Sequence, residues 1–183
     1  MTAPQDAVVQ ALQRVLATQH AAVFGYPVIG VTLRSPGQVR RARQLEAGHR
    51  RTRDELMAQL AARRVSPVPA EASYAAAQPI TGPADAQRWA LDLEEDCAGA
   101  YRYLLVAPVL AVGGTSAGPS SGTTASSGAS VGPASSGGTA PTAAEQASLR
   151  RQALTGLTTA ALTATEWRSL LSPNAPTTPF PGL

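Results

Sequence analysis

The segment Val65 to Pro83 constrains this chain most. It carries Pro67, Pro69, Pro79 and Pro83, shows neither a helical nor a strand period, and reads as an irregular extended connection. On either side lie patterns of helical period. A helix of about 28 residues is roughly 40 Å long. A connection of about 18 residues, extended at about 3.3 Å each, covers that distance. A bundle whose neighbouring helices met through tight turns would not need it. The segment therefore predicts a crossover along the full length of a helical bundle, between helices 2 and 3, joining two antiparallel hairpins.

Four helical stretches follow from apolar spacing, at about 5–33, 36–64, 83–109 and 142–171. In the first, Val8, Leu12, Val15, Leu16, Gln19, Val23 and Tyr26 recur at three- and four-residue steps. Pro27 predicts a kink rather than a stop, since the apolar pattern continues through Val28, Ile29 and Leu33. Ser35-Pro36 reads as an N-cap and first helical residue. The second helix turns Val39, Ala42, Leu45, Glu46, His49, Leu56 and Leu60 inward. Thr81-Gly82-Pro83 opens the third, whose stripe is Ala90, Glu94, Cys97, Tyr101 and Leu104; one step of rotation would exchange Glu94 for Glu95. Thr142 and Glu145 form a capping box for the fourth, which carries Leu149, Ala153, Leu154, Leu157, Ala161 and Leu162. Few β-branched runs and abundant Ala and Leu agree with an all-α class.

Apart from Val131, residues 113–141 are Gly, Ser, Thr, Ala and Pro with no charge, a composition expected of a flexible loop at a hairpin tip. The tail, 172–183, ends in Phe180-Pro-Gly-Leu183, whose two apolar side chains are expected to pack back onto the bundle. The whole of 1–183 reads as one domain.

Charge narrows the partners. All fifteen basic residues are Arg, and nine of them, against three acids, fall between Arg34 and Arg64. Arg40, Arg41, Arg43, Arg50, Arg51 and Arg53 form a candidate patch for an anionic partner. Nucleic acid is not expected, because no aromatic residues interleave and no known binding module is present. The acids between Asp85 and Tyr103 offer an electrostatic complement to the basic helix. One cysteine, Cys97, excludes an intrachain disulfide and a thiolate metal cluster. No basic-then-apolar leader opens the chain and no apolar run approaches the roughly 18 residues of a membrane span. The expectation is a cytoplasmic protein without membrane contact, with a homodimer as the candidate assembly and no protein partner named by the residues.

Chemistry concentrates where polar residues interrupt apolar stripes: Gln19 and His20 on the first helix, Glu46 and His49 on the second, Glu94 on the third. Glu46 and His49, three residues apart, can share a helix face and present a carboxylate and an imidazole to one metal ion. No Ser/His/Asp or Cys/His pairing suggests nucleophilic catalysis, and Val112-Gly-Gly-Thr-Ser lacks the Lys of a phosphate loop.

Three stretches carry a family likeness: Ala17-Thr-Gln-His-Ala-Ala-Val-Phe-Gly-Tyr26, His49-Arg-Arg-Thr-Arg-Asp-Glu-Leu56, and Leu91-Asp-Leu-Glu-Glu-Asp-Cys-Ala-Gly-Ala-Tyr101. With the Phe-Pro-Gly-Leu ending, the chain resembles the bacterial ferritin-like domains of unknown function of high-GC Gram-positive genomes. The resemblance implies a ferritin-like four-helix bundle. In active di-iron members the ligands are Glu on the first helix, Glu-x-x-His on the second, Glu on the third and Glu-x-x-His on the fourth. Here Gln19 stands near the first position, Glu46 and His49 match the second, and Glu94 the third. The fourth helix offers only Leu157-Thr-Thr-Ala-Ala-Leu162 at that level.

A set of Glu46, His49, Glu94, Gln19 and His20 offers one ion at most a partial shell. Two readings follow. In the leading one the polar groups form a buried hydrogen-bond network, completed by Tyr26 or Tyr101, in a degenerate ferritin-like module with a structural or interaction role, no catalysis and no cofactor. The alternative is a metal-dependent oxidoreductase or iron-binding protein using iron or another divalent transition metal. A binder of anionic partners through the Arg patch is the third.

Overall fold

The structure, a computed structural model, describes residues 4–113 and 142–172. It contains α1 (Pro4–Thr32), α2 (Pro36–Ala62), α3 (Pro83–Gly113) and α4 (Ala143–Leu171), and no strand among the described residues. Most of the proposed 113–141 loop and of the tail lies outside them.

The helix ends follow local chemistry. Ser35 stands at the N-cap of α2 and Pro36 at its first position, but the Ser35 side chain makes no capping hydrogen bond. At the other end, Val65 N donates to Leu60 O at 3.0 Å and Arg64 N to Ala61 O at 2.8 Å, with Arg64 at φ 58°. This is a Schellman closure with an arginine where glycine is usual, and it ends α2 two residues before the expected 64. The capping box of α4 is formed: Glu145 N donates to Thr142 Oγ1 at 3.2 Å and Thr142 N to Glu145 Oε2 at 2.8 Å. These contacts, with a smaller contribution from the Arg63 charge, hold the Glu145 carboxyl below its ordinary range. α1 runs through Pro27 without a stop: the ring is exposed, and packing of Tyr26 before it and Ile29 after it offsets the lost backbone hydrogen bond.

Antiparallel packing follows from which residues share a core. Val8, Leu12 and Leu16 of α1 meet Leu56 and Leu60 of α2, Leu104 of α3 and Leu149 and Ala153 of α4 at one end. At the other, Tyr26 and Ile29 meet Ala42 and Leu45, Trp89 and Leu93, and Trp167. The connection 63–82 runs between these ends along α1. Val65 and Val68 pack on the first cluster, Ala76 and Ile80 on the second. On the way Gln13 Nε2 donates to Ser66 O and Val68 N to Gln13 Oε1, both at 2.7 Å, and Tyr74 packs on Phe24 with ring centroids 5.5 Å apart. The expected crossover is thus a lengthwise strap on α1.

The four sides of the bundle are not alike. α1 packs on α2 and α3, and α3 on α4, whereas no Cα of α2 comes within 8 Å of a Cα of α4 among the described residues. The two are tied near one end by Arg41, whose guanidinium meets the Glu166 carboxylate at 2.7 Å. Elsewhere an open slot separates them, with a cavity of about 570 Å³.

Glycine positions separate tight from loose packing. A Cβ on Gly156 would fall 2.3 Å from the Tyr101 ring, whereas one on Gly48 would meet only Arg51 Nη2 at 4.0 Å. In both helices alanine is the better former by about 1 kcal/mol. Gly156→Ala is expected to destabilise by about 1–3 kcal/mol because a buried ring must move. Gly48→Ala is expected to stabilise by up to about 1 kcal/mol. Urea denaturation of both variants checks the opposite signs; equal signs would contradict this packing.

Candidate functional site: a buried polar centre beneath an open slot

Between the two apolar clusters lies a polar layer. Gln19 of α1 is 1% exposed and Glu94 of α3 is 2% exposed, and the His49 side chain of α2 retains 12%. Tyr26 Oη donates to Glu94 Oε1 at 2.5 Å, and Trp167 Nε1 of α4 donates to Tyr26 Oη at 3.3 Å. His49 Nε2 lies 3.1 Å from Glu94 Oε1 and Nδ1 lies 2.8 Å from Gln19 Oε1. Gln19 Nε2 reaches Cys97 Sγ at 3.5 Å. The imidazole stacks on the Tyr26 ring with centroids 5.4 Å apart and 17° between planes. All four helices therefore contribute.

The proton count of the ring is linked to the amide orientation. With Gln19 Oε1 towards His49, both ring nitrogens must donate. With the amide turned over, Gln19 Nε2 donates to Nδ1, His49 Nε2 alone donates to Glu94, and the Cys97 thiol can donate to Gln19 Oε1. With the amide as placed, no buried side-chain nitrogen or oxygen is unpartnered among the described residues. Burial, with the Glu94 charge and hydrogen bond adding to it, holds the Tyr26 hydroxyl well above the ordinary phenol range. Burial first and the Glu94 charge second push the Cys97 thiol well above the thiol range.

The candidate residues separate. Gln19, His49 and Glu94 converge; Glu46 and His20 do not join them. Glu46 accepts from Arg50 Nη2 at 2.6 Å, one turn along α2. His20 Nε2 lies 3.2 Å from Val68 O and fastens the strap. The choice between Glu94 and Glu95 is resolved: Glu94 faces inward, and Glu95 is exposed and pairs with Arg168 of α4. Within the basic patch, Arg41 pairs with Glu166, Arg50 with Glu46 and Arg53 with Asp54. Arg40, Arg43 and Arg51 are exposed and have no carboxylate partner among the described residues. Of the acids of α3 only Glu94 meets α2 among the described residues, at His49; α2 and α3 lie on a diagonal of the bundle, and the paired arginines of α2 find their carboxylates on α2 itself and on α4. Trp167 is the participant that spacing did not single out. Its signal was an amphipathic aromatic, one of two Trp, on an alanine-rich helix.

This donor set does not fit a pair of iron ions. It offers one carboxylate and one imidazole, with an amide at Gln19, and α4 presents Gly156, Thr159, Ala160 and Thr163 to the cavity instead of ligands. No group of three or more His, Cys, Asp or Glu is placed to hold a metal among the described residues. Paired metals need several carboxylates to offset their charge.

The family described as Domain of unknown function (DUF4439) matches residues 11–111. The chain belongs to that family. The match contains Gln19, Tyr26, His49, Glu94 and Cys97, so the polar centre apart from Trp167 falls within it. The chain is also similar to the crystal structure of a conserved hypothetical protein, rv2844, from Mycobacterium tuberculosis. The two are 28% identical with a TM-score of 0.66, over 91% of this chain and 98% of that one. Comparison with curated proteins gives no match.

Two outcomes test the centre of this DUF4439 domain. Glu94→Ala leaves Tyr26 and His49 without their acceptor and is expected to cost about 3–5 kcal/mol of stability. Glu94→Gln, which retains an acceptor, should cost about 1–3 kcal/mol. Urea unfolding measures both, and a loss below about 1 kcal/mol for Glu94→Ala would remove the network from the account of stability. The Cys97 thiol is expected to be silent towards a thiol reagent such as Ellman's in native protein and to titrate fully in denaturant. Rapid reaction of the native protein would place Cys97 outside the core.

Proposed function

We propose that this chain is a single ferritin-like helical domain whose central site has become a hydrogen-bond network, and that it acts as a non-catalytic structural or binding module. One observation carries this reading: Glu94, His49, Gln19, Tyr26 and Trp167 satisfy one another across four helices. A centre built for a metal would aim several acceptors at a common point. Here the carboxylate faces two donors, and the first-helix position carries an amide. A buried carboxylate in an apolar bundle is tolerable only when hydrogen-bonded or charge-paired. Tyr26 and His49 supply that. The all-helical architecture, the lengthwise 63–82 strap and the residues quoted for the resemblance support the ferritin-like assignment. Among the described residues no helix is long and apolar enough to cross a membrane.

Untagged protein incubated aerobically with ferrous iron and then desalted is expected to retain far less than one iron per chain. Its helical circular dichroism and its melting temperature should not change on adding iron or chelator. About two irons per chain, with ferroxidase turnover, would overturn the reading in favour of the di-iron alternative.

A further inference from the structure

The slot between α2 and α4 has a chemistry of its own. In the centre below it, donors and acceptors are matched; along its walls they are not. Gln44, Arg51 and Glu55 of α2 face the cavity, as do Arg151 and Gln152 of α4. None of these side chains has a hydrogen-bond or ion-pair partner among the described residues, although Arg51 and Glu55 sit one turn apart on the same helix. The Tyr101 ring is buried, yet its hydroxyl has no partner among the described residues and borders the same cavity. A phenol is protonated at neutral pH and so can donate, and burial first, with neighbours that include Cys97, Glu55 and Glu94, raises this hydroxyl further above the ordinary phenol range.

The slot is also held open. Gly48, Gly156 and Ala160 line it, and the Tyr101 ring occupies the place a Cβ at Gly156 would need. Arg41 and Glu166 fix the separation of the two walls near one end. The resulting volume, about 570 Å³, lies within the range of about 300–1,000 Å³ typical of small-molecule sites. At its floor His49 is the least buried member of the central layer, so an occupant would meet the imidazole edge.

We propose that this slot binds a small polyhydroxylated anion, with Arg51 and Arg151 holding the anionic group from opposite walls and the amides, Glu55 and the Tyr101 hydroxyl taking the hydroxyls. Two guanidinium groups lining one cavity favour a carboxylate or a phosphate. Amides and a carboxylate beside them accept and donate to hydroxyls as a lipid tail or an aromatic drug would not require. The walls carry few large apolar side chains, Leu45 and the Tyr101 ring being the main ones. This inference rests on the binding-module reading above, and it adds the class of ligand.

Isothermal titration calorimetry of the full chain, shown metal-free beforehand, tests it with four probes: glucose 6-phosphate, glucuronate, glucose and inorganic phosphate. Saturable binding of glucose 6-phosphate or glucuronate, tighter than that of glucose and of phosphate, is the expected result. Which of the two binds tighter assigns the anionic group as phosphate or carboxylate. Arg51→Gln and Arg151→Gln should each weaken that binding about tenfold or more. Thr155→Trp, placed on the exposed lip of α4, should fill the slot and abolish binding while the melting temperature and circular dichroism stay those of the parent. Absence of binding by both anionic sugars, or binding that survives Thr155→Trp and both arginine substitutions, overturns the proposal. Equal binding of phosphate alone removes the hydroxylated body from it, and equal binding of glucose removes the anion; either also overturns it. Metal found in the purified protein would count against the binding-module reading, whereas flat titrations of metal-free protein would count against the ligand alone.

Discussion

A carboxylate 2% exposed in the middle of a bundle of Ala and Leu carries a large desolvation cost unless its oxygens are engaged. Glu94 is engaged from two other helices, by Tyr26 of α1 and His49 of α2, and Tyr26 is held in turn by Trp167 of α4. Apolar packing could tolerate a slip of one helix against another by a fraction of a turn. These directional contacts could not, because hydrogen bonds weaken steeply with angle and distance. The polar layer therefore sets the axial register of the bundle, and the two apolar clusters on either side fill in around it.

That register gives the bundle an uneven perimeter. Three sides close by direct packing, with small residues such as Ala98, Ala100 and Ala107 letting α3 approach its neighbours. The α2–α4 side stays open because Tyr101 occupies the space beside Gly156, and because the residues facing each other there are polar and prefer solvent to one another. A bundle with a fully apolar interior would gain by closing that slot. This one keeps a solvent-accessible approach to its centre, spanned near one end by the bidentate Arg41–Glu166 pair.

The Glu46-x-x-His49 spacing illustrates how a correct local pattern need not bring both side chains to one point. At 3.6 residues per turn, positions three apart differ by about 60° around the helix. Leu45, His49, Leu56 and Leu60 define the inward direction of α2, and His49 lies near its middle while Glu46 lies on the flank. On the flank, with the side chain 20% exposed, Glu46 finds Arg50 one turn away. The same phase argument favours Glu94 over Glu95, but only the partner helices say which rotation of α3 is adopted.

The helical class, the four segments, the α1–α2 turn at Ser35-Pro36, the Thr142 capping box and the lengthwise 63–82 strap were all legible in the sequence. They depend on local terms: apolar period, proline, capping side chains and chain reach. Gln19, His49 and Glu94 were legible as polar interruptions of apolar stripes. Their pairing was not, nor was the use of His20 to fasten the strap, the place of Trp167, or the slot between α2 and α4. Those depend on the rotation of each helix about its own axis and on which helices become neighbours. Both are set by summed packing over residues far apart in the chain, such as Tyr26 with Glu94 and with Trp167, and no local period encodes that.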